Sequence, residues 1–402
     1  MVTPPDPAEL AAMVGSLEDE LIKIRRSFHA YPELSGEEAQ TADGVAAYLR
    51  ELDIDTVVHV GGHGVLGILH GAGKGIIVGC RADMDALPIN DELNQTYKSL
   101  VLGVKHACGH DVHMTIALGT ARVLKQLQPH WRGSVVFLFQ PAEESLDGAM
   151  AMLNAGVLEQ YPIEALLALH TLPLPVGSIG LNAGPCLAGM EEFKVRFYAP
   201  AGDRDSLVQQ SVSALEGLST AHTPDSLEAF ETLFRRMEVD PTLRQTVFLS
   251  CWPQAVDSIP RHHLLGLVSM ADFDRRCEVH AQIKAELDRI VAVHGASYDL
   301  TYTFSNPPLH NDRDLVRAVR PALVASVGET NIRDFVAPYP FAHEDLVHFA
   351  ERVPTALFWL GTANPAHGVE SRLHTADYDI DEAALSIGTQ AMTAALLLLL
   401  QD

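Results

Sequence analysis

Basic residues are scarce in this chain: 28 Lys and Arg stand against 52 Asp and Glu, a formal net charge of -24 over 402 residues. Such a surface repels phosphate backbones and anionic headgroups, so neither nucleic acid nor membrane is an expected partner. Long hydrophobic runs are missing as well. The densest, AALLLLL near the C-terminus, falls far short of the roughly 20 residues that span a bilayer, and it reads as the buried face of a last helix. The opening residues carry no basic segment followed by an apolar one, so no signal peptide is expected. Cysteine is sparse, odd in number and scattered, at Cys80, Cys108, Cys186, Cys251 and Cys277. That pattern implies no disulfide framework and suits a reducing compartment, so a cytoplasmic location is expected. There is no internal repeat and no low-complexity linker.

What is present is the composition of a folded chain, 47% hydrophobic and 20% charged, long enough for two domains. Helical spacing runs from about residue 7 to 28 and again from 37 to 52. Short apolar runs bounded by turn residues follow at 65–69, 75–80, 134–139 and 165–169, with a helix expected over 111–127. Strands alternating with helices predict an α/β domain built on a largely parallel sheet. From about Glu191 the texture changes: FKVRFY alternates like a half-buried strand, 207–218, 227–237 and 277–294 read as helices, and 263–268 is another strand. After Pro307 and Pro308 the first texture returns, with a helix over 315–327 and a strand over 355–360. The expected organisation is a discontinuous catalytic domain, residues 1–185 and 305–402, carrying a smaller inserted α+β lid over 186–304.

Five segments could carry chemistry. HACGHDVH (106–113) packs Cys108, His110 and His113 at a helix entrance, and thiolate with neutral imidazole suits zinc and neighbouring transition metals. Gly109 permits the tight turn that brings Cys108 and His110 to one side. FLFQPAEES (137–145) ends an apolar strand in the adjacent carboxylates Glu143 and Glu144, at the end of a strand where α/β sites form. One could bind metal while the other takes a proton, although acidic residues also simply favour a helix N-terminus. LLALHTLP (166–173) delivers His170 from another apolar strand, and His374 in SRLHTADYDI precedes the last helical stretch. Each of these histidines taken alone is more often an ordinary surface or core residue than a ligand. GCRADMDALP (79–88) sets Arg81, Asp83 and Asp85 after a strand, either as a polar edge or as groups that orient metal ligands.

Taken in order, these segments resemble the M20 metallopeptidase family in its aminoacylase-like amidohydrolase branch. That branch includes hippurate hydrolases, N-acetyl-diaminopimelate deacetylases and indole-acetyl-amino-acid hydrolases. HAYPELS (29–35), NPPLHND (306–312), HED (343–345) and FWLG (358–361) extend the likeness. The resemblance implies two divalent metal ions, commonly manganese or zinc, held by Cys108, His110, Glu144, His170 and His374. It makes Glu143 the general acid/base and Asp83 the acidic residue that steadies the site, with Arg81 in the same motif and His113 behind the ligands. It further implies hydrolysis of an N-acyl amino acid or related small amide by activated water, and a homodimer formed through the lid.

The lid departs from the resemblance. The family's GGHAAxPH-like stretch has no counterpart in APAGDRDSLVQQ, the family's Asn is replaced at Asp257, and Ser269 stands nearest its Arg. Oxyanion stabilisation would then fall to the metals or to His222, His262 or His263, and slow turnover of simple N-acetyl amino acids is expected. Two other readings stay open: a metal-binding protein with weak or lost hydrolysis, and a structural or regulatory subunit that uses the lid as an interface.

Overall fold

The computed structural model describes residues 5–199, 204–253 and 263–401. Twelve strands lie in this order: β1 (Asp55–Val60), β2 (Gly64–His70), β3 (Ile77–Asp83), β4 (Ser134–Gln140), β5 (Ala165–Pro175), β6 (Ile179–Asn182), β7 (Gly189–Tyr198), β8 (Val247–Pro253), β9 (His263–Met270), β10 (Ser297–Asn306), β11 (Ile332–Phe335) and β12 (Thr355–Ala363). They form an eight-stranded sheet ordered β1-β2-β4-β3-β5-β12-β6-β11 and a four-stranded sheet ordered β10-β7-β9-β8.

The chain divides into two compact units, one of residues 1–184, 311–335 and 348–402, the other of 185–310 and 336–347. The first contains the large sheet. Its centre, β4-β3-β5-β12, is parallel, and these strands are the uninterrupted apolar runs, buried along nearly their whole length. A strand buried on both faces needs no alternation, and that is why these runs could be read directly. Both edges bring in antiparallel pairs, β1 with β2, β2 with β4, and β12 with β6, so the sheet is mixed. Helices Pro7–Gly15, Glu18–Ala30, His110–Gln126 and Ala383–Leu399 supply much of the covering apolar surface, through Leu10, Leu21, Ile116, Leu124, Leu385 and Leu396. The single helix expected over 7–28 is two: the first closes on Ser16, and Glu18, Asp19 and Glu20 open the next at its positive end.

The second unit is an antiparallel sheet with helices against one face. Phe193, Val195 and Phe197 of β7 point to the same core as Leu207 and Leu215 of helix Arg204–Glu216 and Ile283 and Leu287 of helix Arg276–His294. Lys194 and Arg196 point the other way, as the alternation in FKVRFY requires. Strand β10 escaped the sequence reading because SYDLTYTFSN is an edge strand with no fully buried side chain before Asn306. The unit also takes in 336–347, which the sequence reading left with the first domain. Tyr339 bonds to the Cys186 carbonyl, Val336 to that of Met237, and the Ser269 hydroxyl to that of Pro340. HED (343–345) therefore lies in this unit, and so do residues 305–310.

Candidate metal centre

The parallel strands of the first unit end on one side, and the polar residues gather there. Strand β3 ends in Arg81 and Asp83, β4 ends in Gln140 just before Glu143 and Glu144, and His170 sits within β5. Cys108 and His110 arrive where a loop enters helix His110–Gln126, and His374 comes from the irregular segment between β12 and the last helix. All five expected ligands, together with Glu143 and Asp83, lie in this unit.

Gly109 makes the close approach possible on two counts. Its φ is +88°, and a Cβ there would stand 2.4 Å from Thr171 Oγ1 and 2.5 Å from the Tyr378 hydroxyl. Left-handed backbone also occurs at Ala142 (φ +54°), before Glu143, and at His374 itself (φ +59°). Such conformations cost a non-glycine residue energy and persist where the surroundings enforce them. For Ala142 the enforcement includes the buried Glu38 carboxylate, which accepts both the Ala142 and the Gly36 N–H groups at 2.8 Å.

The histidines are oriented through their second nitrogens. His170 donates from Nδ1 to the Thr171 carbonyl at 2.8 Å, leaving the Nε2 lone pair facing Cys108 Sγ at 3.4 Å. His374 Nε2 lies 3.2 Å from the same sulfur and 3.6 Å from Glu144 Oε1. His110 Nδ1 faces Asp85 Oδ1 at 3.3 Å, and its Nε2 stands 3.8 Å from Asp83, 3.9 Å from Glu143 and 3.8 Å from Glu144. Those last separations are too long for hydrogen bonds. They match the edges of a ligand tetrahedron, roughly 3.3–3.8 Å when bonds to a central ion are about 2.0–2.3 Å. Cys108 Sγ thus faces two imidazole nitrogens at once, at a spacing that a shared cation would also produce.

His113 is different. The Thr171 N–H donates to its Nε2 at 3.0 Å, so Nδ1 carries the proton and donates to Asp83 Oδ1 at 2.6 Å. Both nitrogens are occupied, and the residue orients Asp83 rather than offering a ligand. Arg81 holds the other Asp83 oxygen at 2.6 Å and the Gln140 amide oxygen at 3.0 Å. Asp85 ties together a second set of residues. Besides facing His110, it accepts the Ser35 hydroxyl at 2.6 Å and the Glu144 N–H at 2.9 Å.

Charge sharpens the picture. Asp83, Asp85, Glu143 and Glu144 converge on His110, and Arg81 is the permanent cation among them. Burial raises the Cys108 thiol well above its usual range, and Glu144, Glu143 and Asp83 add to the rise. Burial likewise raises Glu144. Against the opposing effect of its own burial, His110 is pushed up to about 10 by Asp83, Asp85 and Glu144. Burial holds His170 well below the usual histidine range, with His113 and His110 acting in the same direction. The neutral His170 imidazole thus stands beside a cluster of buried carboxylates that converge on His110, a concentration of acidic groups that a divalent cation would relieve. Two donor triads, Cys108–His110–His170 and Cys108–Glu144–His374, share the sulfur, and His110, Glu143 and Glu144 form a third group beside them.

Behind the ligands lies a buried ionic chain to which the sequence reading gave no role. Arg25 pairs with Asp111 at 2.9 Å and Asp379 at 3.0 Å; His29 bridges Asp111 at 2.8 Å and Asp91 at 3.1 Å; Lys105 joins Asp91 at 3.0 Å. HAYPELS and LHTADYD contain His29 and Asp379, so the residues stood inside noticed motifs, but nothing in a linear pattern pairs them. Of the lid residues, 200–203 and 254–262, with Asp257 and His262, lie outside the described residues. His222 is exposed, and His263 is buried at the start of β9 beside a cavity lined by Lys194, Arg196, Asp299 and Thr301. Ser269 is buried, its hydroxyl donated to the Pro340 carbonyl at 2.7 Å.

Residues 79–398 match the model of peptidase family M20/M25/M40. An IAA-amino acid hydrolase of Arabidopsis thaliana (ILR1-like 2) is 32% identical over 92% of this chain and 83% of its own. N-acetylcysteine deacetylase of Bacillus subtilis is 29% identical over 95% of this chain and 97% of its own. Among solved structures, a Bacillus subtilis protein described as a dinuclear metal binding peptidase of the M20 family superposes with a TM-score of 0.74, at 26% identity over 96% of this chain and 99% of that one. The chain belongs to peptidase family M20/M25/M40, with the two-unit α/β fold of that family.

Proposed function

We propose that the chain is a metal-dependent amidohydrolase that cleaves an N-acyl amino acid or related small amide, with Glu143 as general acid/base. It is a hydrolase of the aminoacylase and amidohydrolase type, as its relatives are named. The observation that carries the reading is the convergence of three Nε2 atoms, one thiol and the Glu144 carboxylate at ligand-to-ligand spacing, with Glu143 beside them. Cys108, His110, Glu144, His170 and His374 would hold two divalent ions, manganese and zinc being the best matches to a thiol, imidazole and carboxylate set. When bound, such ions supply Lewis acidity that lowers the pKa of water and polarises a carbonyl. Glu143, buried and one residue from the ligand Glu144, is placed to take a proton at its carboxylate and return it to the leaving amine. Asp83, clamped by Arg81 and His113, keeps a fixed negative charge behind His110, since those partners and His110 hold its carboxyl well below the usual range against the effect of burial. We assign the protein to the cytoplasm, in keeping with the buried, unbridged thiols of Cys80, Cys186 and Cys251, and to a homodimer through the second unit.

The test is turnover of a panel of N-acetyl, longer N-acyl and N-aroyl amino acids, with and without added manganese. Metal-dependent release of free amino acid from at least one class is expected, with N-acetyl substrates slow because the family's lid histidine is missing. A metal-loaded protein that hydrolyses none of them would favour a binding or regulatory role.

A further inference from the structure

The segments that carry Cys108 and His374 come from distant parts of the chain, and neither residue lies in a helix or strand. His374 is the less secured. Its backbone is left-handed, its side chain is about half exposed (52%), and its N–H reaches across to the Ala107 carbonyl at 2.8 Å. Two residues on, the Ala376 carbonyl accepts the Lys105 ammonium at 2.7 Å and the Glu92 N–H at 2.9 Å. A carbonyl with two donors is fixed in place, and this one belongs to the turn that presents His374.

Lys105 is a fully buried lysine whose ammonium reaches one carboxylate and one carbonyl. Burying an ammonium is costly, and a methionine of similar length would fill the same space without that cost. The carboxylate is itself immobilised: Asp91 accepts the N–H groups of Leu93 and Ser99 at 2.9 and 2.8 Å and contacts His29 at 3.1 Å. Through His29 the chain continues to Asp111, in the first turn of the helix that His110 begins. One buried line of charges thus joins the helix carrying His110 to the turn carrying His374, and Lys105 is its last link.

We propose that Lys105, anchored by Asp91, is a positioning residue that fixes the His374 turn and so sets the affinity of the metal position to which His374 belongs. The proposal rests on the ligand assignment above. The Lys105 ammonium meets the His374 turn directly at the Ala376 carbonyl, so an effect that disappears without His374 is separable both from a general role in folding and from one carried along the loop to Cys108.

The measurement is titration of metal-free protein with Mn2+, following the two binding steps by calorimetry in wild type, Lys105→Met, Asp91→Asn, His374→Ala and the double variant Lys105→Met/His374→Ala. Lys105→Met is expected to weaken one step about 10- to 100-fold, the range for residues that orient ligands, and to leave the other within about threefold. In the His374→Ala background the same substitution is expected to add less than about twofold. Asp91→Asn keeps the lysine and the volume and is expected to weaken the same step. Equal weakening of both steps, no weakening, or an undiminished effect without His374 would overturn the proposal. If Lys105→Met fails to fold, wild-type binding by Asp91→Asn would overturn it alone. A wild-type protein that takes up no metal would bring down the ligand assignment itself, a result distinct from two normal steps unaffected by Lys105.

Discussion

The two units differ in how much charge they bury. In the first, Arg25, Arg81, Asp83, Asp85, Lys105, His110, Asp111 and Glu143 are all buried. In the second, the core is Phe, Val, Leu and Ile, and the ion pairs Arg235–Glu231, Arg236–Asp240, Lys284–Asp288 and Arg289–Glu286 lie on helix surfaces. Buried ions rarely stabilise a fold more than well-packed apolar residues would. They are most numerous in the unit that gathers the candidate ligands, whereas the second unit buries only a few acids, Glu191, Glu344 and Asp345, beside its apolar core. The contrast also explains the lid departures: a scaffold held by its apolar core tolerates a changed surface, whereas the first unit cannot lose one charge without stranding another.

The sharpest break in that comparison is predicted at Gly109. Gly109→Ala forces a Cβ into Thr171 and Tyr378 at a left-handed position, which should cost roughly 2–4 kcal/mol of stability and lower Mn2+ affinity at least tenfold. Urea denaturation and metal titration would show both, and a variant of wild-type stability would mean that the loop is looser than its geometry implies.

An effect that depends on pH is expected at His29. Burial and Arg25 act against its charge, but hydrogen bonds to Asp111 and Asp91 win and its pKa is raised. A group raised on folding stabilises fully below its unfolded value, near 6.5, and loses that contribution as pH climbs through the folded value. His29→Gln should therefore cost about 2–4 kcal/mol at pH 6, with the gap to wild type narrowing by pH 9, measured as urea midpoints. A gap that widens with pH would contradict this. Lys284→Ala, in the second unit, should change stability by less than about 0.5 kcal/mol at either pH, because its partner Asp288 is exposed. A larger loss there would break the contrast between the units.

Much of this was legible in the sequence, for identifiable reasons. β3, β4, β5 and β12 are buried on both faces and so appear as plain apolar runs; His170 interrupts β5, Glu144 follows β4 closely, and Cys108 and His110 flank Gly109, whereas His374 stands in an irregular segment. Strands β8 and β10 border the small sheet and have exposed faces, so their mixed composition resembled loop. The passage of 336–347 into the second unit depends on backbone bonds to Cys186, Met237 and Ser269, which no local pattern signals. The roles of Asp85, Lys105 and His29 depend on partners 59, 271 and 82 residues away. Such pairings exist only in three dimensions. Motif matching picked out the candidate ligands, and only the fold showed what surrounds them.

The adjacent carboxylates are assigned separate duties, Glu144 in binding metal and Glu143 in moving a proton. Metal content by elemental analysis, taken with turnover, in Glu143→Gln and Glu144→Ala tests this division most directly. Glu143→Gln should keep near-normal metal with turnover reduced by at least about a hundredfold, while Glu144→Ala should lose metal and activity together. Equal metal loss in both variants, or retained turnover in Glu143→Gln, would contradict the account.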